Sequence, residues 1–302
     1  MSAAPIIRIG TRGSALAIWQ ADHVAGRLRA AGHRVDIKRI TTTGDRTLDR
    51  RLDTVGGKAA FLKEIEEALV AREVDLAVHS LKDVPTALPD GLTLCAFLER
   101  EDPRDAVLSL EGKTLAGLKR GARVGTTSLR RAALIKELRK DLVIEDLRGN
   151  VDSRIRRLRE GRFDAILLAM AGLIRLGRES EVAEALNPVQ FIPAPGQGVI
   201  ALECRAGDAA VLAAAAPLHD LPTARRADAE RALLARLGGS CNVPMGAYAD
   251  ANGRTLRLWG FLARPDGSRM VRAHVEGDDP QEVGAELAEQ LLEWGGAPLP
   301  GR

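Results

Sequence analysis

Aromatic residues make up only 3% of this 302-residue chain, so stacking platforms of the kind that hold single-stranded nucleic acid are scarce. The three cysteines, Cys95, Cys204 and Cys241, are an odd number without the spacing of a zinc site, and they form no disulfide framework. No run approaches the roughly 18 apolar residues of a membrane-spanning helix. The residues from Met1 to Arg8 lack the apolar core of a signal peptide. We therefore expect a cytoplasmic protein with no metal, no membrane contact and no nucleic-acid partner.

The net charge is also small, at +3, but it hides a local imbalance. Arginines occur in several short clusters, whereas acidic residues are spread along the chain. Local positive charge of this kind favours an anionic ligand. The chain length and a hydrophobic content of 45% allow two or three domains with ordinary cores.

The chain up to about residue 200 alternates short apolar runs with amphipathic segments, a pattern that predicts an α/β fold with mainly parallel strands. A strand at Ile6–Ile9, a turn at Thr11–Ser14 and a helix over residues 15–31 form one unit. The same strand, turn and helix recur from Arg123, with a helix at Leu129–Arg139. This repetition predicts two similar α/β lobes that grip a ligand between them.

Two segments rich in proline or glycine, Glu101–Arg104 and Pro193–Gly198, are candidates for crossings between the lobes. The pattern changes beyond Pro217 to a helix, a few strands and a last helix at Pro280–Trp294. We therefore predict three domains. Their bounds are 1–99 with 197–216 for domain 1, 100–196 for domain 2, and 217–302 for a small α+β domain 3.

Cys241 lies in a glycine-rich run that ends at Gly246. The amphipathic helix before it, Arg226–Leu237, should stop at Gly238, because glycine adopts the left-handed conformation at little cost. A thiol on the exposed turn that follows can act as a nucleophile or as an attachment point. The alternative is a cysteine that packs as a small hydrophobic residue.

Arginines fall where strands are predicted to turn into helices. Helix N-termini offer unpaired backbone N–H groups, and a guanidinium group binds a carboxylate through two parallel donors. The turns therefore predict sites for a ligand with many acidic groups, at the ligand-binding edge of α/β sheets. The alternatives are a structural role for any one of them and a solvated helix face for the run from Arg156 to Arg162. The predicted binding residues are Arg12, Ser14, Thr127, Ser128, Arg130, Arg131, Arg148, Arg154 and Arg175.

Asp83 lies in a second cluster, His79–Pro85, directly after a predicted strand at Val74–Val78. A carboxylate among so many cations could stabilise a developing positive charge or move a proton. The alternatives are a turn cap for Asp83, a surface ion pair for Lys82 and a buried, hydrogen-bonded side chain for His79.

The segment Asp53–Phe61 contains adjacent glycines, Lys58 and an aromatic residue, which predicts a mobile loop that covers a cleft. It lacks the ending of a phosphate-binding P-loop.

Taken together, these motifs resemble the porphobilinogen deaminase family, also called the hydroxymethylbilane synthases. The run from Glu230 to Gly246 agrees with the family's cofactor-attachment motif around Cys241. The similarity extends from about residue 6 to at least residue 265. The other matching stretches, in chain order, are Thr11–Ser14, Val78–Pro85, Arg100–Asp105, Gly125–Arg131, Leu147–Val151 and Pro195–Gly198.

The resemblance implies an enzyme with a dipyrromethane cofactor, attached to Cys241 by a thioether and assembled from its own substrate. Four porphobilinogen molecules would be joined head to tail, each with loss of ammonia, before water releases hydroxymethylbilane. Asp83 would hold pyrrole N–H groups and stabilise the positive charge that forms when ammonia leaves. The implied cofactor ligands are Lys82, Asp83, Thr127, Ser128, Arg130, Arg131, Arg148, Gly149 and Arg154, and the implied substrate ligands are Arg12, Ser14, Lys58, Phe61, Arg148, Arg154 and Arg175.

The same resemblance implies a fold class: two similar α/β lobes of the periplasmic-binding-protein type, with a discontinuous first domain, and a small α+β C-terminal domain. It also implies a monomer that hands its product to uroporphyrinogen-III synthase.

Two rival interpretations remain from the residues alone. A two-lobed protein that binds a polyanion would need no reactive Cys241 and usually has a signal peptide. A nucleic-acid-binding protein would use the arginines from Arg154 to Arg162, and its affinity would fall steeply with salt.

Overall fold

The structure is a computed structural model that describes residues 5–43, 62–238, 243–264 and 269–295. These parts fall into two compact units. Unit 1 comprises Met1–Glu101 with Val199–Ala224, and unit 2 comprises Asp102–Gly198 with Arg225–Arg302. The three-domain division made from the sequence stays a prediction.

Strands occur throughout both units. In chain order they are β1 Ile6–Thr11, β2 Arg34–Arg39, β3 Leu76–Ser80, β4 Leu92–Phe97, β5 Asp105–Ser109, β6 Arg123–Gly125, β7 Val143–Glu145, β8 Ala165–Ala169, β9 Glu184–Ala185, β10 Ile200–Arg205, β11 Met245–Asn252, β12 Thr255–Ala263 and β13 Met270–Gly277.

The α-helices of the described residues alternate with these strands. They are α1 Ala15–Ala30, α2 Lys63–Val70, α3 Leu129–Leu138, α4 Val151–Arg159, α5 Met170–Arg175, α6 Ala209–Ala215, α7 Leu221–Arg236 and α8 Pro280–Gly295. None of them is both long and apolar enough to span a membrane.

Each unit contains a five-stranded sheet, and the two sheets share one arrangement. The strand order is β2-β1-β3-β10-β4 in unit 1 and β7-β6-β8-β5-β9 in unit 2. The first three strands of each sheet are parallel, and the fourth strand runs antiparallel to both of its neighbours. The predicted pair of similar α/β lobes is therefore confirmed, and four of the five strands in each sheet run in one direction, with β10 and β5 as the reversed strands. The periodicity of a strand carries no information on its direction.

Apolar residues cover both faces of the sheet in unit 1. Helix α1 buries Val24 and Leu28 against Ile9 of β1 and other strand residues on one face. Helix α2 buries Ile65 and Leu69 on the opposite face, beside Val74 and Ala77. A sheet covered on both faces needs apolar side chains in both directions along its central strands.

The sheet of unit 2 is covered in the same way. Leu134 of α3 packs with Val124 on one face, and Ile155 of α4 packs with Ile166 on the other. The remaining part of unit 2 is an antiparallel sheet of β11, β12 and β13, whose core with α7 and α8 includes Leu233 and Leu287. This three-stranded sheet with its helices is the predicted α+β element of the C-terminal region.

Candidate active site

The sheet of unit 1 brings two of the predicted loops to one edge. Arg12 and Ser14 follow the carboxyl end of β1, and Asp83 follows the carboxyl end of β3. Because β1 and β3 are parallel neighbours, these ends lie at the same edge of the sheet. Both loops line one open pocket. Its lining residues are Arg12, Ser14, Leu16, Ala17, Gln20, Leu62, Val78, His79, Ser80 and Asp83.

Local hydrogen bonds hold the first of these loops in place. The Ser14 hydroxyl accepts a hydrogen bond from the Ala17 N–H at 3.4 Å and caps α1. Gln20 in the same helix donates through Nε2 to the Ser80 hydroxyl at 2.9 Å, which ties α1 to the end of β3. The start of α1 is thereby fixed beside the loop that carries Asp83.

Asp83 ends a single 3-10 turn, Leu81–Asp83, that continues directly from β3. Its neighbours Leu81 and Val84 are buried, and the Leu81 N–H donates to the carbonyl of Val199 at 3.0 Å. Across the described ranges, the carboxylate of Asp83 makes no hydrogen bond that would mark it as a cap. The turn is therefore anchored on both sides, and Asp83 projects from it at the pocket.

Unit 2 presents three loops at the corresponding edge of its own sheet. They follow the parallel strands β6, β7 and β8. The first two run into helices and carry Thr127 to Arg131 and Arg148 to Arg154, and the third leads directly into α5, whose last residue is Arg175. Ser128 caps α3 through a hydrogen bond from the Arg131 N–H at 3.3 Å, and Thr127 donates through its hydroxyl to the Leu147 carbonyl at 3.3 Å. The β6 and β7 loops are thus joined.

Arg130 and Arg131 are both buried, and both bind Asp105 at the start of β5. Arg130 donates through Nη1 to Asp105 Oδ2 at 2.6 Å, and Arg131 donates through Nε and Nη2 to Oδ1 at 3.0 and 2.7 Å. Arg130 and Arg131 also donate to the carbonyls of Ile192 and Leu167. Two guanidinium groups against one carboxylate leave one positive charge in excess.

The electrostatics of this cluster follow from its burial. Burial by itself raises the pKa of Asp105, but the charges and hydrogen bonds of Arg130 and Arg131 outweigh it and hold that pKa well below the usual range. Burial lowers the pKa of Arg130, and Asp105 opposes this effect. Gln197 adds a hydrogen bond of 3.1 Å from Nε2 to Asp105 Oδ1.

The loop after β7 is shaped by Gly149, whose φ of +103° lies in the left-handed region. Its carbonyl accepts a hydrogen bond from Arg154 Nε at 2.7 Å. Arg148 lies 3.8 Å from the exposed Asp146, between Nη2 and Oδ2. Arg175 is buried and donates through Nη2 to the Gly198 carbonyl at 2.6 Å. Arg148 and Arg154 remain half-buried, and Arg175 braces the Pro193–Gly198 segment.

Three of the predicted site residues, Lys58, Phe61 and Cys241, lie outside the described residues. The helix before Cys241 ends as predicted, since Gly238 has a φ of +86°. The chain is buried at Leu237 before this cysteine and at Val243 after it. Lys82 is half-buried in the 3-10 turn beside Asp83.

Sequence reasoning assigned no role to Asp105, Glu203 or Glu230, which are all fully buried. Glu230 accepts hydrogen bonds from the N–H groups of Gly196 at 2.6 Å and Ala249 at 2.8 Å. A usable signal existed for Glu203, because it is a carboxylate inside the apolar run of β10. Charged residues are almost never fully buried unless they are paired.

Comparison with known proteins gives consistent matches along the chain. Residues 7–213 match the family model described as porphobilinogen deaminase, dipyromethane cofactor binding domain, and residues 224–293 match the model of the C-terminal domain of porphobilinogen deaminase. A porphobilinogen deaminase from Roseiflexus castenholzii is 53% identical over 97% of this chain and 98% of the relative. One from Syntrophobacter fumaroxidans is 49% identical over 96% of this chain and 95% of the relative. Among solved structures, a nutrient-binding protein from Burkholderia cenocepacia bound to methionine has 13% identity and a TM-score of 0.45, over 72% of this chain and 93% of its own.

Proposed function

The chain belongs to the porphobilinogen deaminase family, and we propose that the loops at the carboxyl edges of its two five-stranded sheets hold the substrate and the cofactor of this reaction. An enzyme of this family joins four porphobilinogen molecules head to tail with loss of ammonia at each step, and water then releases hydroxymethylbilane. It uses a dipyrromethane cofactor. The function implied by the motifs is thereby confirmed.

The donor groups in unit 2 fit the chemistry of dipyrromethane. Each pyrrole ring of this cofactor carries an acetate and a propionate, and carboxylates are bound best by guanidinium groups and by N–H and O–H donors. The edge of the sheet offers Thr127, Ser128, Arg148 and Arg154, together with the excess positive charge of the buried Arg130 and Arg131. Arg130 and Arg131 act through this charge and through the position they give to α3, because their contacts are largely with Asp105 and backbone carbonyls. Gly149 and Lys82 complete the proposed cofactor ligands.

Cys241 is the proposed attachment point of the cofactor. It follows a helix that ends at Gly238, and the buried residues Leu237 and Val243 fix the chain before and after it. The cofactor, when bound, supplies the ring carbon onto which the first substrate molecule is added. Lys58 and Phe61 are proposed to lie on the loop that covers the substrate.

The observation that carries the proposal is the pocket of unit 1, which is lined by the carboxylate of Asp83 together with Arg12 and the N-terminus of α1. Arg12 and Ser14 are suited to a substrate carboxylate. Asp83 accepts hydrogen bonds from pyrrole N–H groups and stabilises the positive charge left on the substrate when ammonia departs. Arg175 is proposed as a further substrate ligand.

The experiment that tests this proposal is the intact mass of the purified protein beside its Cys241→Ala and Cys95→Ala variants. We expect an adduct of two linked pyrrole units on the wild type and on Cys95→Ala, and none on Cys241→Ala. Cys95 is the matched control, since it is a half-buried thiol of β4 outside the pocket. An active preparation in which Cys241 is unmodified would refute the attachment at Cys241. An unmodified wild type without activity would favour a protein that only binds polyanions.

We further propose that the enzyme acts as a monomer in the cytoplasm and hands its product to uroporphyrinogen-III synthase. Gel filtration with light scattering tests the first part. Product transfer without release into the medium, measured with both enzymes present, tests the second.

A further inference from the structure

A buried strip of ionisable side chains, which contains Glu203 and His79, lies behind the pocket of unit 1. It is on the face of the sheet that α2 covers. Glu203 of β10 pairs in register with Ala77, and His79 pairs with Ala201, so Glu203 and His79 are diagonal neighbours on adjacent antiparallel strands. His79 Nε2 lies 2.9 Å from Glu203 Oε2. Glu203 is fully buried, and His79 is 7% exposed and lines the pocket.

Packing alone does not account for this strip. The second oxygen of Glu203, Oε1, is buried and has no hydrogen-bond partner among the described residues. An ionised carboxylate without its full complement of partners is costly to bury. Most buried polar side-chain atoms have a hydrogen-bond partner, so the unpaired oxygen of Glu203 calls for an explanation.

Charged groups near the pair come from α2, from β10 and from the pocket. Glu66 of α2 has a buried oxygen without a partner, and burial followed by the charge of Glu203 raises the pKa of Glu66, which His79 opposes. Arg205 of β10 donates to the carbonyls of Leu69 and Val74, farther along the strip. On the pocket side the charged groups are Arg12 and Asp83.

The reaction needs a base that Asp83 does not supply. When the carbon–carbon bond forms between two pyrrole rings, the attacking ring carbon must lose its proton. Asp83 stabilises a cation best when it stays ionised and holds N–H groups. Of the ionisable residues that line the pocket in the described parts of the chain, Arg12 is a permanent cation, which leaves His79. Imidazole is the side chain whose ordinary range suits proton transfer near neutral pH.

We propose that His79 is the base that accepts the ring-carbon proton and that Glu203 is its positioning residue. The proton moves from the ring carbon to the neutral imidazole, and the electron pair of the C–H bond restores the aromatic ring. The Glu203 carboxylate orients the imidazole and balances the imidazolium that results, which then passes its proton to water. This inference rests on the proposed function, because it assigns a step of the same reaction.

The first test measures the kinetics of variants of the two residues. His79→Gln keeps a donor for Glu203 but cannot take up a proton, and we expect it to lower kcat by about 10²- to 10⁴-fold while KM changes little. Glu203→Gln should lower kcat as well, and the double variant should be no slower than the slower single variant, because the two residues act as a unit. His219→Gln is the control, since His219 accepts a hydrogen bond from the Phe97 N–H in the same unit but does not line the pocket. Full kcat in His79→Gln, or losses that multiply in the double variant, would overturn the proposal.

Proton NMR gives a readout apart from turnover. The imidazole signal of His79 is identified by its absence from His79→Gln. Because Glu203 contacts the ring directly, Glu203→Gln should change the chemical shift of this signal at a fixed pH, and Glu66→Gln should change it less. An unchanged chemical shift in Glu203→Gln, or a larger effect of Glu66→Gln, would contradict the pairing.

Intact mass separates this inference from the proposed function. The cofactor is assembled from the same substrate, so its carbon–carbon bond needs the same proton transfer. We expect the adduct on His79→Gln to form more slowly than on the wild type, and adduct formation at the wild-type rate in this variant would overturn the inference. A wild type without the adduct would instead refute the attachment at Cys241.

Discussion

Asp105 accepts two hydrogen bonds from Arg131 on the same carboxylate oxygen, at 3.0 Å from Nε and 2.7 Å from Nη2. The other oxygen accepts from Arg130 at 2.6 Å, and all three side chains are buried. This arrangement neutralises half of the positive charge at the start of α3 and ties that helix to β5. The first strand of unit 2 is thereby joined to the loop proposed to bind the cofactor.

Asp105→Asn should destabilise the protein strongly. The variant leaves two buried guanidinium groups without a countercharge, and breaking a buried ion pair on one side costs about 3–5 kcal/mol. Urea unfolding followed by circular dichroism measures this loss. Asp141→Asn is the control, because Asp141 pairs with Arg139 in a more exposed position, and its effect should be much smaller. Equal losses in the two variants would contradict the assigned role of burial.

The stability of the wild type should fall with acid in a way that depends on Asp105. The pKa of this carboxyl is depressed in the folded protein, whereas an aspartate in an unfolded chain titrates near about 3.9. Its contribution is therefore fully present above that value and is lost as the pH falls towards the folded pKa, because the unfolded chain takes up the proton first. The free energy of unfolding, measured in urea from about pH 6 to 2, should fall more steeply for the wild type than for Asp105→Asn. Parallel curves would refute this prediction.

Gly246→Ala should destabilise unit 2. A Cβ at this position would meet Phe261 Cε1 at 2.7 Å and the carbonyl oxygens of Ile192 and Pro193 at 2.8 Å. We expect a loss of about 1–3 kcal/mol, seen as a lower Tm. Gly26→Ala should act in the opposite direction by about 0.4–1 kcal/mol, since Gly26 lies inside α1 and a Cβ there meets nothing within 4 Å. A Tm that falls in both variants would show that the room available for the added Cβ does not determine the change in stability.

Asp83→Asn should lower kcat by about 10²- to 10³-fold without a change in Tm. The variant keeps the shape of the side chain and removes the negative charge that stabilises the cation formed when ammonia leaves. In the wild type, the Asp83 carboxylate makes no hydrogen bond within the described residues, so the fold should not depend on it. Asp90→Asn, in an exposed turn, is the control. Turnover at the wild-type rate in Asp83→Asn would remove this residue from the proposed mechanism.

Local signals in the sequence predicted helices α1 and α3, which follow the first proposed binding loop of each unit. Ser14 and Ser128 both cap the helices expected after them, and α1 and α3 end within one residue of the predicted positions. The antiparallel direction of β5 and β10 left no such signal, because it depends on where the chain re-enters a sheet. Direction is a property of topology and not of the strand itself.

The sequence did not predict the contacts that site residues make with side chains far away along the chain. The positions of Arg130 and Arg131 after a strand indicated a charged edge, but their partner Asp105 lies at the start of another strand. Periodicity and turn chemistry describe neighbours along the helix or strand, so they cannot identify such a pairing. The same holds for His79 and Glu203, which are 124 residues apart in sequence.

The order of the strands in unit 1 has a consequence for the way the chain emerges from the ribosome. Strand β10 lies between β3 and β4, but its first residue, Ile200, is synthesised only after the whole of residues 102–198. At about 5–20 residues per second, roughly 5 to 20 seconds pass between the completion of β4 and the arrival of β10. Every strand of the five-stranded sheet in unit 2 is made within that interval. A nascent chain at this stage therefore exposes unpaired strand edges of β3 and β4, while the five-stranded sheet of unit 2 is already complete.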